Sequence, residues 1–414
     1  MEYETLGKVA EIIMGQSPPG EMTNTDGYGL PLLNGPTEFG AHHPLPVQYT
    51  TEARKVASPG DLLFCVRGST TGRMNWADRK YAIGRGIAAI RHRSSYELQP
   101  LVRAVIEYQL PELLNRATGS TFPNVSVSQL AELLYPTLDE AQQREIAHIL
   151  GTLDDKIELN RRMNATLEAI ARAIFKSWFV DFDPVHAKAR GEQPYGMDAD
   201  TAALFPDAFE DSELGPIPAG WGIADFGKLI SQRKERVRER KATVLSAVAA
   251  GELVRSSEHF AKQVYSKDIS KYIAVEQWDF AYNPSRINIG SIGMLKEPLV
   301  GAVSPVYVVF RPKSEFQWFL EFNLKQPHVQ KWIVTLASGS VRQALSFRDF
   351  ASIPCVIPPE PIIKIFNQMW IGLCDGIDAH GRESNTLAEL RDTLLPKLIS
   401  GEICVNALEE ISGG

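Results

Sequence analysis

Four stretches of this chain come close to a catalytic pattern, and each lacks a group that the chemistry needs. Gly222-Ile-Ala-Asp-Phe-Gly227-Lys228 has the glycines and lysine of a phosphate-cradling loop, but Leu229 stands where a Ser or Thr hydroxyl must reach magnesium. Asn283-Pro284-Ser285-Arg286 and Ser17-Pro18-Pro19-Gly20 have the outline of the proline tetrapeptides of amino-methyltransferases. Both lack the closing aromatic that stacks on an extruded base, and no glycine-rich cofactor loop precedes either, so both read as turns. Asp61 with Asp78-Arg79-Lys80 has the spacing of a metal-dependent nuclease, in which acids bind magnesium and a lysine positions water. The second half keeps Asp279 without a matching acid–x–Lys. The eight histidines form no H-E-x-x-H or comparable cluster. The expectation is a chain with no catalytic residue, no metal and no cofactor of its own.

What remains suits nucleic acid. In the first half Arg67, Arg73, Asn75, Arg79, Lys80, Arg85, Arg91 and Arg93 lie among Gly68, Gly72, Gly84 and Gly86. Glycines let backbone approach phosphates, and arginine can bond a guanine edge through two parallel N–H groups. Gln16 and Ser17 sit in a turn able to present a side chain to a base. In the second half Arg233, Lys234, Arg236, Arg238, Arg240 and Lys241 form one run, and Asn283, Arg286 and Asn288 share a turn. A charge run also reads as a solvated face, with Glu235 and Glu239 pairing inside it. The cluster therefore carries more weight than any one of its members.

The overall balance looks wrong for a DNA binder, because 414 residues carry a net charge of −7. Divided along the chain, the objection disappears. Residues 221–358 are strongly basic, whereas 181–220 and the C-terminal segment are acidic. Local field, not net charge, decides whether a phosphate backbone is attracted. The four cysteines are scattered without a C-x-x-C pair and read as reduced thiols of a cytoplasmic protein. There is no long apolar run to suggest a membrane span and no signal-peptide pattern at the N-terminus.

The elements that must carry these groups come as a repeat offset by about 220 residues. Leu6-Gly7-Lys8 matches Phe226-Gly227-Lys228, Asp61-x-x-Phe64 matches Asp279-x-x-Tyr282, Ala117-Thr-Gly-Ser120 matches Ala337-Ser-Gly-Ser340, and Val125-Ser126 matches Leu345-Ser346. Steps of four and three from Ile146 pick out Leu150, Leu153, Ile157, Asn160, Asn164, Leu167, Ala171, Ile174 and Trp178. Adding 220 gives Phe366, Trp370, Leu373, Ile377, His380, Ser384, Leu387, Arg391, Leu394 and Leu398. This spacing predicts two long helices sharing a coiled-coil seam. An antiparallel pair would set Asn160 near Ser384 and Asn164 near His380, a polar midpoint that fixes register. Gly151 should weaken the first helix slightly, and Pro396 should strain or end the second. Runs such as 61–66, 86–90 and 305–310 read as strands among Gly- and Pro-rich turns.

The predicted fold is α+β, with two similar mixed domains separated by two long helices in an antiparallel coiled coil, related by an internal pseudo-two-fold. The segments are 1–138 and 221–358 for the two domains, and 139–180 and 359–404 for the helices. An acidic connector over 181–220 with little core of its own and a tail over 405–414 complete the chain. The first helix, at about 1.5 Å per residue, would span about 55 Å, and one turn of DNA is about 34 Å, so a split DNA site with an unread gap is expected.

Several stretches resemble the specificity subunits of type I restriction–modification systems. They are Gly15-Gln-Ser-Pro-Pro-Gly20, Gly60-Asp61-Leu, Ile83-Gly84-Arg85-Gly86, Ile157-Glu-Leu-Asn160, Phe175-Lys-Ser-Trp178-Phe-Val-Asp-Phe182, the segment 204–216, and Leu394-Leu-Pro-Lys-Leu-Ile-Ser-Gly-Glu402. The likeness covers essentially the whole chain in order. It implies two target recognition domains, each reading one half of a bipartite site in double-stranded DNA, and helices that dock two modification subunits. Those partners would bring S-adenosylmethionine and methylate adenine, while restriction subunits would add ATP- and magnesium-dependent translocation and cleavage. It supplies no invariant base-reading residue. The rival readings are a stand-alone methyltransferase or nuclease, and a scaffold that binds only protein.

Overall fold

The computed structural model describes residues 2–117, 123–260, 265–337, 344–400 and 402–403. Cys404, the tail 405–414 and all but Ala117 and Ala337 of the Ala117–Ser120 and Ala337–Ser340 matches lie outside the described residues. The chain divides into two units, Met1–Asn164 with Asp378–Gly414, and Ala165–Ile377.

In the first unit, buried apolar runs form two sheets. A four-stranded sheet has the order Ala10–Met14, Ile87–His92, Leu62–Cys65, Met74–Trp76. A five-stranded sheet has the order Thr23–Asn24, Gln48–Thr50, Leu30–Leu33, Tyr81–Ile83, Val56–Ala57. Leu62, Phe64, Ala88 and Ile90 point to a core closed by the helix Gln99–Asn115, whereas Leu63, Cys65, Ile87 and Ala89 point to the other sheet. This alternation is the period of two expected of a strand covered on both faces. A two-stranded ribbon, Tyr3–Thr5 with Leu134–Pro136, joins the start of the domain to its end.

The second unit repeats this frame in register over the shared strands, with a four-stranded sheet in place of the five-stranded one. Glu4 pairs with Tyr135, and Ala224 with Cys355. Arg91 lies opposite Glu11, and Arg311 opposite Ser231. Leu62 lies opposite Trp76, and Phe280 opposite Met294. Packing repeats as well. A Cβ on Gly7 would come within 2.8 Å of Ala131, and one on Gly227 within 3.3 Å of Ala351, so glycine admits the neighbouring helix in both places. Gly60, at φ 86°, is matched by Trp278 at φ 71°, where its ring stacks edge-on against Trp318 at 5.4 Å. A bulky residue in the left-handed region is held there by its surroundings.

The helices Glu140–Phe179 and Glu360–Ile399 are each 40 residues long. Every seam position from Ile146 to Trp178 and from Phe366 to Leu398 is buried or half-buried, while Arg161, Arg162 and Met163 are exposed. Within the first unit the polar midpoint closes through hydrogen bonds: Asn160 Nδ2 donates to Glu383 Oε2 at 2.7 Å and to Ser384 Oγ at 3.4 Å, and His380 Nδ1 lies 2.8 Å from Asn164 Oδ1. Arg391, the cationic step in the seam, donates to Asp154 at 2.7 Å, and Arg103 reaches Asp154 at 3.5 Å. Within the second unit Leu167 packs against Gly376, and Phe175 and Trp178 meet Phe366.

Two expectations are corrected. Pro396 lies inside the second helix, which runs on to Ile399; so near the C-terminal end its missing N–H costs one bond only, and the Ser400 N–H still reaches the Pro396 carbonyl at 2.9 Å. The connector 181–220 is not merely a surface segment: Val185, Phe205 and Ile217 are buried, and Phe205 packs on Trp178 and Trp221, so it joins the core of the second unit rather than forming one of its own. Helices Asp183–Ala189 and Ala199–Ala203 form in it, the second capped by Asp198, and Lys188 Nζ ties them by donating to the carbonyls of Ala202 and Phe205.

Candidate nucleic-acid interface

The sheet register of the first unit sorts the candidate residues into two opposite ends. Strand Ile87–His92 begins beside Cys65 and Met14, so the turns that follow residues 14, 33, 65 and 83 converge there. The Gly15 N–H donates to the Ile87 carbonyl at 2.9 Å, Gln16 N–H to Ile83 at 2.8 Å, Gly84 N–H to Leu33 at 2.8 Å, and Val66 N–H to Gly86 at 2.9 Å. This end carries Gln16, Ser17, Arg67, Arg73 and Arg85, with the arginines and Gln16 exposed. Arg67 Nε donates to Asn124 Oδ1 at 3.5 Å, and Arg73 reaches the Pro36 carbonyl at 3.5 Å. Three amides that the sequence reading did not single out, Asn34, Gln48 and Asn124, join them; Asn34 Nδ2 donates to Gln48 Oε1 at 3.0 Å. Asn34-Gly35-Pro36 directly after a buried strand was the available signal.

Arg79, Lys80, Arg91 and Arg93 are at the other end. The loop 77–80 returns beside Asp61, where the Ala77 N–H donates to the Asp61 carbonyl at 3.0 Å. Arg79 and Lys80 are exposed there. Asp78 Oδ1 accepts from the Tyr81 hydroxyl at 2.5 Å; burial and this bond push the Tyr81 phenol up to about 12. Arg93 is exposed and reaches the Gly7 carbonyl at 3.4 Å.

Two of these candidates are scaffold. Arg91 donates through Nε and Nη2 to the two oxygens of Asp61, both at 2.7 Å, and Asp61 is fully buried. That bond raises the guanidinium further above its ordinary range. Arg311 holds the fully buried Asp279 through Nε alone, at 2.7 Å, its Nη2 reaching Glu276 at 3.0 Å while the second Asp279 oxygen accepts the Glu276 N–H. A carboxylate removed from water needs such a partner, and the fork of arginine supplies it. With both oxygens committed and shielded, Asp61 does not form a nuclease pair with Asp78. Asn75 is also scaffold, 4% exposed, with Nδ2 donating to the Gly40 carbonyl at 3.1 Å.

The basic run of the second unit divides in the same way. Arg233 and Arg240 reach Glu276 at 3.0 and 3.4 Å, and Arg240 also reaches Glu235 at 3.0 Å. Burial alone would raise the Glu276 carboxyl, yet Arg311, Arg233 and Arg240 outweigh it and hold it below the usual range. These two arginines are therefore partly neutralised. Lys234, Arg236, Arg238 and Lys241 stay exposed. Arg236 bridges to Ile273, and the Arg238 N–H donates to the Ser270 carbonyl at 2.9 Å, on the sheet edge. The turn of Asn283, Arg286 and Asn288 occupies the place of residues 65–70 in the first unit: the Leu345 N–H donates to Pro284 as the Val125 N–H does to Val66. Asn283 Oδ1 accepts from the Ser285 N–H at 3.1 Å, so this tetrapeptide is a side-chain-closed turn. Arg286 and Asn288 are exposed. The segment 222–228 is a strand, Gly222–Asp225, and a short 3-10 turn, not a phosphate loop.

Comparison with known proteins points to one family. Residues 1–169 match the family model described as type I restriction modification DNA specificity domain. A relative from Haemophilus influenzae, named Type I restriction enzyme HindI specificity subunit, is 26% identical over 410 residues, covering 85% of this chain and 88% of the relative. A second, from Methanocaldococcus jannaschii and named Putative type I restriction enzyme MjaX specificity subunit, is 34% identical over 167 residues, 40% of this chain and 39% of that protein. The chain is thus similar to type I restriction enzyme specificity subunits over most of its length, and its first 169 residues match their DNA specificity domain. The solved S subunit of a type I restriction–modification system from M. genitalium shares the fold, with a TM-score of 0.51, 16% identity, and 96% of this chain and 95% of that one covered.

The two domains present different groups on one backbone. The turn 84–86 is Gly-Arg-Gly, and its counterpart 304–306 is Ser-Pro-Val; the Ile87 N–H returns to Gly84 at 3.0 Å and the Tyr307 N–H to Ser304 at 2.9 Å. Scaffold is repeated, and the exposed tips are not.

Proposed function

We propose that the chain is the non-catalytic, DNA-sequence-reading subunit of a type I restriction–modification complex, each recognition domain reading one half of a bipartite site. One observation carries this reading: a single domain backbone occurs twice in matching register, and in each copy the same end gathers exposed arginine and amide side chains. Backbone phosphates take the outlying cations, and base edges take the rigidly held ones. S-adenosylmethionine, ATP and magnesium belong to partner subunits in this reading. Two modification subunits dock on the helices, and exposed apolar residues there support it: Leu159 at 45% and Met163 at 40%, one turn apart on the first helix. No helix among the described residues is long and apolar enough to cross a membrane; a cytoplasmic place of action fits double-stranded DNA as partner.

The test is to co-express the chain with its modification partner and map methylated adenines across a genome. A split recognition sequence is expected, and exchange of residues 221–358 for another reader should change one half of it only. A change in both halves, or methylation without sequence preference, overturns the reading. A protein-only scaffold would show no steep salt dependence of DNA binding by the complex, whereas phosphate contacts give a steep one.

A further inference from the structure

Resting on that DNA-reading function, we infer that Arg85 is the residue that reads a guanine in the half-site of the first domain. The turn that carries it is the most tightly held part of the reading end. A Cβ on Gly15 would collide with the Gly84 carbonyl and one on Gly86 with the Asn34 carbonyl, so these two glycines are required for the strands to meet, while one on Gly84 would press on Asn34 Oδ1. The Arg85 N–H is itself satisfied by Ser17 Oγ at 3.3 Å. The backbone of the tip is thus committed before any ligand arrives, which lowers the ordering cost of binding.

The side chain is the opposite. Arg85 is exposed, and among the described residues its guanidinium has no hydrogen bond or ion pair, whereas Arg67 and Arg73 each touch a protein oxygen and Arg91 is committed to the buried Asp61. A free guanidinium on a rigid stem presents two parallel donors, the match for the O6 and N7 acceptors of guanine in the major groove. Its immediate neighbours, Ser17 and Asn34, are neutral hydrogen-bonding groups suited to base edges. The second domain has Pro305 at this position, so its half-site should not depend on the same contact.

The experiment uses the assembled complex with its modification partner on a DNA library randomised across both half-sites, comparing wild type, Arg85→Ala and Arg85→Lys. The wild type should require guanine at one position of one half-site. Arg85→Ala should lower that preference about tenfold to a hundredfold and leave every other position unchanged. Arg85→Lys should keep overall binding yet lose most of the preference, because a point charge lacks the fork. Unchanged thermal stability of both variants separates this from a folding defect. If Arg85→Ala weakens all sequences equally and flattens the salt dependence, the residue contacts phosphate and the inference fails; no change at all also overturns it. A wild-type complex without any split preference would instead sink the DNA-reading function itself.

Discussion

The two units hold their helix pair by different physics on one repeated backbone. In the first, Ile146, Leu150, Leu395 and Leu398 form an aliphatic layer, followed by the Asp154–Arg391–Arg103 ions and the Asn160, Asn164, His380 and Ser384 amide and hydroxyl layer. In the second, Phe175, Trp178, Phe179, Phe322, Phe366 and Trp370 form an aromatic cluster, with ring centroids 5.0 to 6.5 Å apart. Arg391 of the first unit corresponds to Ala171 of the second, and Asp154 to Cys374. A shared backbone therefore does not require shared side chains, provided each layer is internally satisfied.

The largest expected effect breaks the aromatic side of this contrast. Phe366 is 1% exposed and meets Phe175, Trp178, Phe179 and Phe322. Phe366→Ala should cost about 3–5 kcal/mol in denaturant unfolding. A loss below about 1 kcal/mol would show that the cluster can collapse around the gap. Next come the matched ion pairs. Arg91→Ala and Arg311→Ala each leave a wholly buried carboxylate without its partner and should each cost about 3 kcal/mol. Equal losses sharpen the equivalence of the two frames; an Arg91 variant with native stability and weakened DNA binding would return Arg91 to the reading surface.

A smaller effect belongs to the first unit alone. Arg391→Met removes charged hydrogen bonds at the helix seam and should cost about 1–2 kcal/mol. A double-mutant cycle with Asp154→Asn should show most of that as coupling, and an additive pair would refute the link. The smallest effect is a pH dependence. His92 is 6% exposed, and its Nδ1 accepts the N–H groups of Ser94 and Ser95 at 3.2 and 3.3 Å. Burial lowers its pKa below the usual 6.5. The unfolded chain therefore takes up a proton that the folded one declines, so this contribution is complete above about 6.5 and declines as pH falls toward the folded value. Pro312 stands at the matching position of the second domain. His92→Gln should flatten the stability profile below pH 6.5, measured by unfolding across pH; an unchanged slope would remove His92 from that dependence.

The repeat and the helix seam were legible because they are periodic, and periodicity survives without knowledge of contacts. Asn160 and Asn164 stood out as polar steps in an apolar row, which is where the structure puts their partners. Arg91 was misread for the converse reason. On the strand it looks like one more cation, and only the register of two strands brings it to Asp61. Yet a clue was present: Arg91 and Asp61 recur as Arg311 and Asp279, whereas Arg85 does not recur. Side chains that recur as a bonded pair in both halves belong to the frame. The aromatic cluster lay hidden because Phe175 and Phe179 fall beside the seam rather than on it, and the burial within 181–220 because its buried apolar side chains are spread over a long acidic stretch.

The ribbon of Tyr3–Thr5 with Leu134–Pro136, and its twin Gly222–Asp225 with Pro354–Ile357, bring the entry and the exit of each recognition domain to adjacent strands. A segment whose two ends are neighbours can be cut out and another of any internal length spliced in without pulling on the rest of the chain. Recombination between genes at these borders would therefore trade an entire cassette of base preference in a single event, leaving both crossover points inside backbone pairing that depends little on which side chains arrive.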